Sequence, residues 1–431
     1  MKSFFKKIIT IILTLIAKGI LWRHNPRVIA VTGSVGKTST KDAIYTVLKG
    51  QGSVRRSDKS FNSELGVPLS IIGASSGWNN PFAWLGVIAS GIFQILEPRG
   101  SYPKTLVLEV GADRPGDISS IAKWIKPHVV VITRLPEIPV HIEFFPTLES
   151  LIEEKLSLAK GLRKEGTLVL NADDHRVLAA KEKMHAKTVT YGLNPDADIR
   201  ASNLQLLAPG EIFAEGGLTF KLEFDGKSLP VTLPNIYSET FVTVALAALT
   251  VAYVSDVNMI AAIGDLALYE TPPGRVRLIP GLNETVLIDD SYNSSPTACE
   301  AGLHMLRDIP FGKRKIAMLG DMLELGKHTN DAHIEIGRVA KDCADVLITV
   351  GLRAKEFAVG ARKSKMNEKK IIECADAHEA AETYAEMRKA GDIVYIKGSQ
   401  SMRMENAVKM LMAEPEKASK LLVRQETEWE G

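Results

Sequence analysis

A chain of 431 residues is long enough for two or three domains, each with its own core. Hydrophobic residues make up 45% and charged residues 24%, which excludes a disordered or fibrous class. Lysine plus arginine (53) nearly balances aspartate plus glutamate (51), and the net charge of +2 implies no nucleic acid or other polyanion as partner. Cys299, Cys343 and Cys374 lie far apart and match no disulfide or metal spacing, so a reduced, cytoplasmic setting is the expectation.

The first 22 residues, MKSFFKKIITIILTLIAKGILW, hold an apolar run from Ile8 to Ala17 bracketed by Lys6, Lys7 and Lys18. A spanning helix needs about 20 apolar residues, so the run is short for one. It has the lysine-then-apolar layout of a signal peptide without a small-residue cleavage site. Three readings stay open here: a helix on a membrane surface, a helix packed on the protein's own core, and a cleaved signal.

Residues 28–42, VIAVTGSVGKTSTKD, carry the strongest signal in the chain. A β-branched run meets a glycine turn, and Lys37, Thr38 and Ser39 open a helix. Glycines at 33 and 36 let backbone N–H groups approach phosphate oxygens, and the helix N-terminus adds partial positive charge. Lys37 then reaches the β and γ oxygens, and Thr38 can ligate Mg²⁺. The common P-loop has a glycine where this chain has Val31, so Gly33, Ser34, Val35, Gly36, Lys37, Thr38 and Ser39 form a shortened T-G-S-x-G-K-T-S variant.

A second apolar stretch, Pro81 to Leu96, follows. Core packing is the plain reading, and the concentration of Trp78, Trp84 and Phe93 leaves a membrane-facing or lid-like surface open. Residues 28–33, 105–111, 129–133, 167–174 and 188–192 then read as buried, mostly parallel strands alternating with helices. Residues 211–234 alternate and turn on Gly-Gly and Asp-Gly, which predicts antiparallel hairpins at the domain edge. An alanine-rich helix from Val242 to Val254 follows, and Pro272-Pro273-Gly274 puts a boundary at 271–276. Strands at 285–292, 315–321, 345–351 and 392–399 restart the β/α alternation. The expected fold class is α/β: a central P-loop-type, mostly parallel sheet domain (26–272) and a Rossmann-like C-terminal α/β domain (273–431), after an apolar helix at 1–25.

Glu109 ends a buried strand, so its carboxylate belongs at the carboxyl edge of the sheet, where such folds bind ligands. His141 follows the next strand, and the two can share a divalent metal near the P-loop threonine, although taken alone the histidine reads more readily as structural. Lys155 lies in a helix beside Glu153 and Glu154, and by itself reads as an ordinary solvated lysine.

In this order and spacing, VTGSVGKTSTK (31–41), FNSELGVPLS (61–70), LEVGADRPGDI (108–118), PVHIEFF (139–145), EEKLSLAKGL (153–162), LNADD (170–174), PPGR (272–275), DDSYNSSP (289–296), LGDMLELG (319–326) and KGSQSMRME (397–405) resemble the Mur ligase family. The resemblance is to the branch that adds D-alanyl-D-alanine in peptidoglycan synthesis. It implies an ATP-dependent, ADP-forming ligase that joins this dipeptide to a muramyl peptide through an acyl phosphate. It also implies that Gly33, Gly36, Lys37 and Thr38 hold ATP phosphates and a first Mg²⁺. Glu109 then shares that metal, and His141 serves a second ion. Lys155 falls where such ligases carry a carbamylated lysine, a CO₂ adduct that turns a cation into an anionic metal ligand. Arg275 would reach the phosphates on domain closure, Asp289 and Asp290 the ribose, and Asn293 and Asp321 the same cleft. Lys397, Gly398 and Ser399 fall where the incoming substrate binds.

Three departures accompany the resemblance. Family members carry a uridine-binding domain before the P-loop, where about 30 residues stand here, too few for such a domain. A nucleotide-free or lipid-linked acceptor, or a partner protein, is expected in its place; the membrane-surface reading of residues 1–22, at the inner face, would suit a lipid-linked acceptor. At 235–242, NIYSETFV puts Tyr237, Ser238 and Phe241 where a histidine–asparagine pair and a further asparagine are usual. Gln400 stands where an arginine is common. A polyglutamate-type ligase and a non-catalytic nucleotide-binding scaffold are the alternatives; retention of Lys37, Thr38, Glu109, His141 and Lys155 argues against the scaffold.

Overall fold

The computed structural model describes residues 2–58, 61–78, 80–139, 141–210, 216–426 and 429. Two sheets organise it. Strands β1 (Arg27–Thr32), β2 (Val54–Arg56), β3 (Thr105–Glu109), β4 (Val129–Ile132), β5 (Thr167–Asn171), β6 (Lys187–Gly192), β7 (Ile199–Leu207), β8 (Gly217–Phe224) and β9 (Lys227–Pro234) form one nine-stranded sheet in the order 2-3-1-4-5-6-7-8-9. Pairing is parallel from β2 through β7 and antiparallel between β7, β8 and β9. Residues 211–215 of the expected hairpin segment lie outside the described residues.

The second sheet contains β10 (Arg277–Gly281), β11 (Thr285–Asp290), β12 (Arg314–Gly320), β13 (Val346–Val350), β14 (Ile371–Cys374) and β15 (Asp392–Lys397), in the order 10-11-15-12-13-14. Only β10 runs antiparallel to its neighbour. The molecule is therefore mixed α/β, a large mostly parallel sheet joined to a smaller doubly wound one. Sequence reading missed β2, β7, β10 and β14. Each lies at a sheet edge or at the parallel-to-antiparallel transition, where half-exposed residues blur the apolar run.

Helices cover both faces of the first sheet. One face carries α1 (Lys2–His24), α3 (Gly66–Ile72), α4 (Pro81–Leu96), α5 (Asp117–Ile125) and α6 (Leu148–Lys160). The other carries α2 (Lys37–Lys49) and the helix Thr240–Tyr253. Ile9, Leu13, Ile16 and Ile20 of α1 are buried against β1 and β3 residues such as Val28 and Leu106, so this helix packs on the protein's own core. Among the described residues no helix is long and apolar enough to cross a membrane. A Cβ on Gly91 of α4 would stand 2.5 Å from Ile16, and one on Gly19 of α1 would stand 2.7 Å from Ile95. Glycine at both positions lets the two helix backbones approach closely.

The chain crosses from the first sheet to the second through residues 267–276. Val276, a β-branched residue, ends that crossing at φ +56, a conformation that costs roughly 1–3 kcal/mol and persists only where packing enforces it. The far end of the chain braces the same region. The Arg424 guanidinium donates to both carboxylate oxygens of fully buried Glu405 (2.9 and 2.7 Å) and to the carbonyls of Ser291 and Tyr292 (2.8 and 3.1 Å). Arg424→Ala strands a buried carboxylate with Arg403 as its remaining cation. The expected loss is about 3 kcal/mol, read as a lower urea midpoint by circular dichroism.

Candidate active site

In the first sheet β1 has β3 on one side and β4 on the other, so the carboxyl end of β1 is a topological switch point and opens a crevice. The P-loop occupies it. Gly33 turns the chain at φ +141, Gly36 follows at φ +84, and α2 begins at Lys37. The loop after β4 pins this turn: the Thr133 hydroxyl donates to the Val35 carbonyl at 2.7 Å, and Ser34 N–H donates to the Arg134 carbonyl at 2.8 Å. A Cβ at Gly33 would sit 2.0 Å from Thr133 Oγ1. Gly33→Ala is therefore expected to distort the loop and weaken ADP binding by about tenfold or more, measured by titration calorimetry.

Glu109 ends β3 in register with Val31 of β1, one residue before the loop turns. Its carboxylate is 1% exposed; Oε1 accepts from Asn62 Nδ2 at 2.9 Å, while Oε2 is buried without a hydrogen-bond partner. A buried anionic oxygen with nothing to bind fits a cation. Thr38, itself buried, is the second residue of α2. Lys37 is half-buried, and burial lowers its pKa; Glu109 and Asp113 raise it, and the nearby Arg275 lowers it further. Arg275 stacks on the Tyr292 ring, 4.1 Å from the centroid, and its Nε is buried with no acceptor. Two cations in one crevice with an unsatisfied donor call for an anion.

Lys155 corrects the expectation of a solvated lysine. It lies on the apolar stripe of α6 with Leu151 and Leu158, and only 3% of its surface is exposed. Burial, with Lys37 as a further cause, lowers its pKa to about 7. Its spacing, i+4 from Leu151 and i−3 from Leu158, was the available signal. The neighbouring Glu154 has a different task, accepting from the N–H groups of Ile118 and Ser119 (2.6 and 3.0 Å) at the start of α5.

His141 has a left-handed backbone (φ +69) and joins the two halves of the molecule. Its Nδ1 lies 2.7 Å from Glu324 Oε2, contributed from beyond β12, and its Nε2 lies 3.6 Å from Asp113 Oδ1. The Glu324 carboxyl is held below its ordinary range by that hydrogen bond. Sequence reasoning missed Glu324, although it lies inside LGDMLELG. Among the described residues no three His, Cys, Asp or Glu side chains converge as a ready metal-ligand set.

A cleft of ≈ 340 Å³ runs from the P-loop between the two sheets. Its polar end holds Lys37, Thr38, Arg275, Asp290 and Lys397; its apolar wall holds Phe241, Val244, Ala298 and Ala301. Asn171, which ends β5, and Asp173 just beyond it also line the cleft; sequence reasoning placed them only within LNADD and gave them no role. Ser238 and Phe241 face this cleft, whereas Tyr237 is buried against Phe311 in an edge-on ring contact at 5.0 Å.

Asp290 and Lys397 end neighbouring strands in register, and Lys397 Nζ donates to Asp290 Oδ2 at 2.6 Å and to the Asn293 carbonyl at 2.9 Å. Asp289, on the other face of β11, is fully buried and accepts from Gly274 and Ser291 N–H (3.0 and 3.1 Å), so its carboxylate braces the crossing and does not open to the cleft. Asp321 likewise accepts from Ala354 N–H at 2.7 Å, and the Ser399 hydroxyl accepts from Leu323 N–H at 2.8 Å. Gly398 packs at the same sheet edge, where a Cβ would meet Met404 at 2.6 Å.

Comparison with known proteins gives this arrangement relatives. Residues 91–252 match the Mur ligase middle domain, and residues 274–400 match the Mur ligase glutamate ligase domain. The UDP-N-acetylmuramoyl-tripeptide–D-alanyl-D-alanine ligase of Bacillus subtilis is 28% identical over 403 residues, covering 93% of this chain and 79% of that protein. The ligase of the same name from Escherichia coli is 26% identical, covering 89% and 76%. The crystal structure of the Thermotoga maritima MurF ligase in complex with ADP superposes with a TM-score of 0.77 at 26% identity, covering 95% of this chain and 84% of that one. With both matched domains on the two sheets that enclose the cleft, the chain belongs to the Mur ligase family.

Proposed function

We propose that the protein is an ATP-dependent amide ligase that adds D-alanyl-D-alanine to a muramyl peptide, as the names of its relatives state for them. The carrying observation is the crevice itself: Lys37, Thr38 and Arg275 line it, and the buried, half-satisfied carboxylate of Glu109 acts electrostatically on Lys37. Residues 26–272 supply the phosphate-binding half, residues 273–431 close over it, and the ATP requirement points to the cytoplasm.

A carboxylate is a poor acyl donor, because its leaving group would be oxide. In the proposed reaction the muramyl peptide's terminal carboxylate oxygen attacks the γ-phosphorus of ATP, and ADP leaves. The dipeptide amine then attacks the acyl-phosphate carbon, and phosphate departs with the former carboxylate oxygen. Gly33 to Ser39 cradle the phosphates through backbone N–H groups, and Lys37 and Arg275 neutralise charge as it moves to the β–γ bridge. The base lies against Phe241, Val244, Ala298 and Ala301, with Asp290 toward the ribose. Lys397, held by Asp290 and Asn293 at the polar end of the cleft, would meet the incoming dipeptide there. Closure of the two halves excludes the water that would hydrolyse the acyl phosphate.

Thr38 and Glu109 would hold a first Mg²⁺, and His141 Nε2, its other nitrogen 2.7 Å from Glu324, would hold a second with Lys155. Such ions would supply charge neutralisation on the transferring phosphoryl group. A buried amine with a pKa of about 7 is partly neutral at physiological pH and can add CO₂, giving the anionic carbamate that a metal site needs in place of a cation. The test is product mass: purified protein with ATP, Mg²⁺, bicarbonate, D-alanyl-D-alanine and UDP-muramyl-tripeptide is expected to yield the acceptor extended by one dipeptide. ATP turnover with no dependence on the dipeptide would overturn the reading.

A further inference from the structure

Among the described residues, eleven of the eighteen exposed large hydrophobic side chains lie on α1, α4 or the turn before α4. Their spacing is helical. On α1, Ile8, Ile11, Leu15 and Trp22 form one outward stripe, with Leu15 at 62% and Trp22 at 79% exposure. On α4, Phe82, Leu85, Phe93 and Leu96 form another, with Phe82 at 81%. Gly19 packs under Ile95 and Gly91 under Ile16, so the helices lie side by side and the two stripes make one face. Soluble monomers rarely expose contiguous apolar patches above a few hundred Å², and such patches mark docking surfaces.

Charge identifies what docks. Neither α1 nor α4 contains a single aspartate or glutamate; among the described side chains the exposed lysines of α1 are Lys6, Lys7 and Lys18, of which Lys7 and Lys18 lie on the outward stripe and Lys6 lies at the N-terminal end, off that stripe. Lys18 stands within the α1 stripe between Leu15 and Trp22. In a symmetric dimer this face would meet itself, burying lysines against a surface that offers no carboxylate, which is costly. At a lipid surface the same lysines extend their ammonium groups to anionic headgroups while their stems stay apolar. Trp22 and Trp78, both exposed, suit the headgroup boundary.

We propose that the joint outer face of α1 and α4 docks on an anionic lipid bilayer surface, lying in its plane without crossing it. The orientation follows from connectivity. α1 ends at His24, three residues before β1 begins at Arg27, and α4 ends at Leu96 ahead of β3, so both helices run against their strands. Their N-terminal ends therefore lie at the carboxyl edge of the sheet, the edge that carries Glu109 and the P-loop. Docking holds the catalytic cleft beside the membrane rather than facing away from it.

The test is co-sedimentation of the full chain with vesicles of phosphatidylcholine alone and of phosphatidylcholine mixed with phosphatidylglycerol. The wild type is expected to bind the mixed vesicles with a blue shift in tryptophan emission. Leu85→Glu with Phe93→Glu, at positions 61% and 64% exposed, should lower the partition coefficient by about tenfold or more. Lys6→Glu, Lys7→Glu and Lys18→Glu together should lower it at low salt by a similar factor of about ten or more. Unchanged ADP binding and circular dichroism show that both variants fold. Absence of vesicle binding by the wild type, or binding indifferent to both variants, overturns the proposal. Self-association of the wild type abolished by Leu85→Glu with Phe93→Glu, without vesicle binding, overturns it in favour of a second copy.

Discussion

Lys37→Ala is expected to lower kcat/KM by about 10³-fold or more, because the ammonium that neutralises the β–γ oxygens is lost from a site where electrostatics carries most of the catalysis. The folded chain should not suffer. Burial lowers the pKa of Lys37 against the opposing pull of Glu109 and Asp113, so without a bound phosphate the charged side chain still costs stability, and removing it relieves that cost. The unliganded variant should therefore melt at or above the wild-type temperature. The upward shift in melting temperature that ADP gives the wild type should vanish. A variant that melts early and still shifts with ADP would mean that Lys37 serves the fold and not the nucleotide.

Lys155→Ala carries the second large effect, about 10²-fold or more in kcat, if the side chain holds metal as its carbamate. Two further readouts separate this role from simple packing. Only the neutral amine adds CO₂, so wild-type activity should fall as pH drops through about 7 and rise on adding bicarbonate. Mass spectrometry under native conditions should show the added mass of one CO₂ in the wild type and none in the variant. Lys155→Arg should not restore activity, because a guanidinium stays protonated. Stability gives an independent check. The folded pKa of about 7 lies below the ordinary 10.5, so the unfolded chain binds more protons between these values. In CO₂-free buffer wild-type stability should rise with pH across that window, and Lys155→Met should flatten the rise.

Much of the architecture was legible because each signal was local. The run Val28 to Val31 followed by Gly33 and Gly36 specifies a buried strand, a phosphate turn and a helix start in fifteen residues. What escaped depended on partners distant in sequence. Lys155 looks solvated beside two glutamates; its burial becomes evident only when α6 is laid on the sheet with Leu151 and Leu158 inward. Asp289 and Asp290 are adjacent and chemically alike, yet strand alternation sends one carboxylate to Gly274 and Ser291 and the other to Lys397 and Tyr395. Glu324 matters because it meets His141 across the two halves, and no spacing rule encodes that contact. The first helix stayed ambiguous because it is apolar on both its buried and its exposed faces, and hydropathy alone cannot say which face meets what.

The central claim is that a substrate carboxylate attacks ATP within this crevice. The most direct measurement supplies the muramyl peptide with both terminal carboxylate oxygens as ¹⁸O, together with ATP, Mg²⁺ and D-alanyl-D-alanine, and weighs the products. An acyl phosphate leaves one ¹⁸O in the released phosphate and one in the new amide. Unlabelled phosphate, with the labelled carboxylate recovered intact, would mean that water attacks ATP and that the chain does not activate this acid.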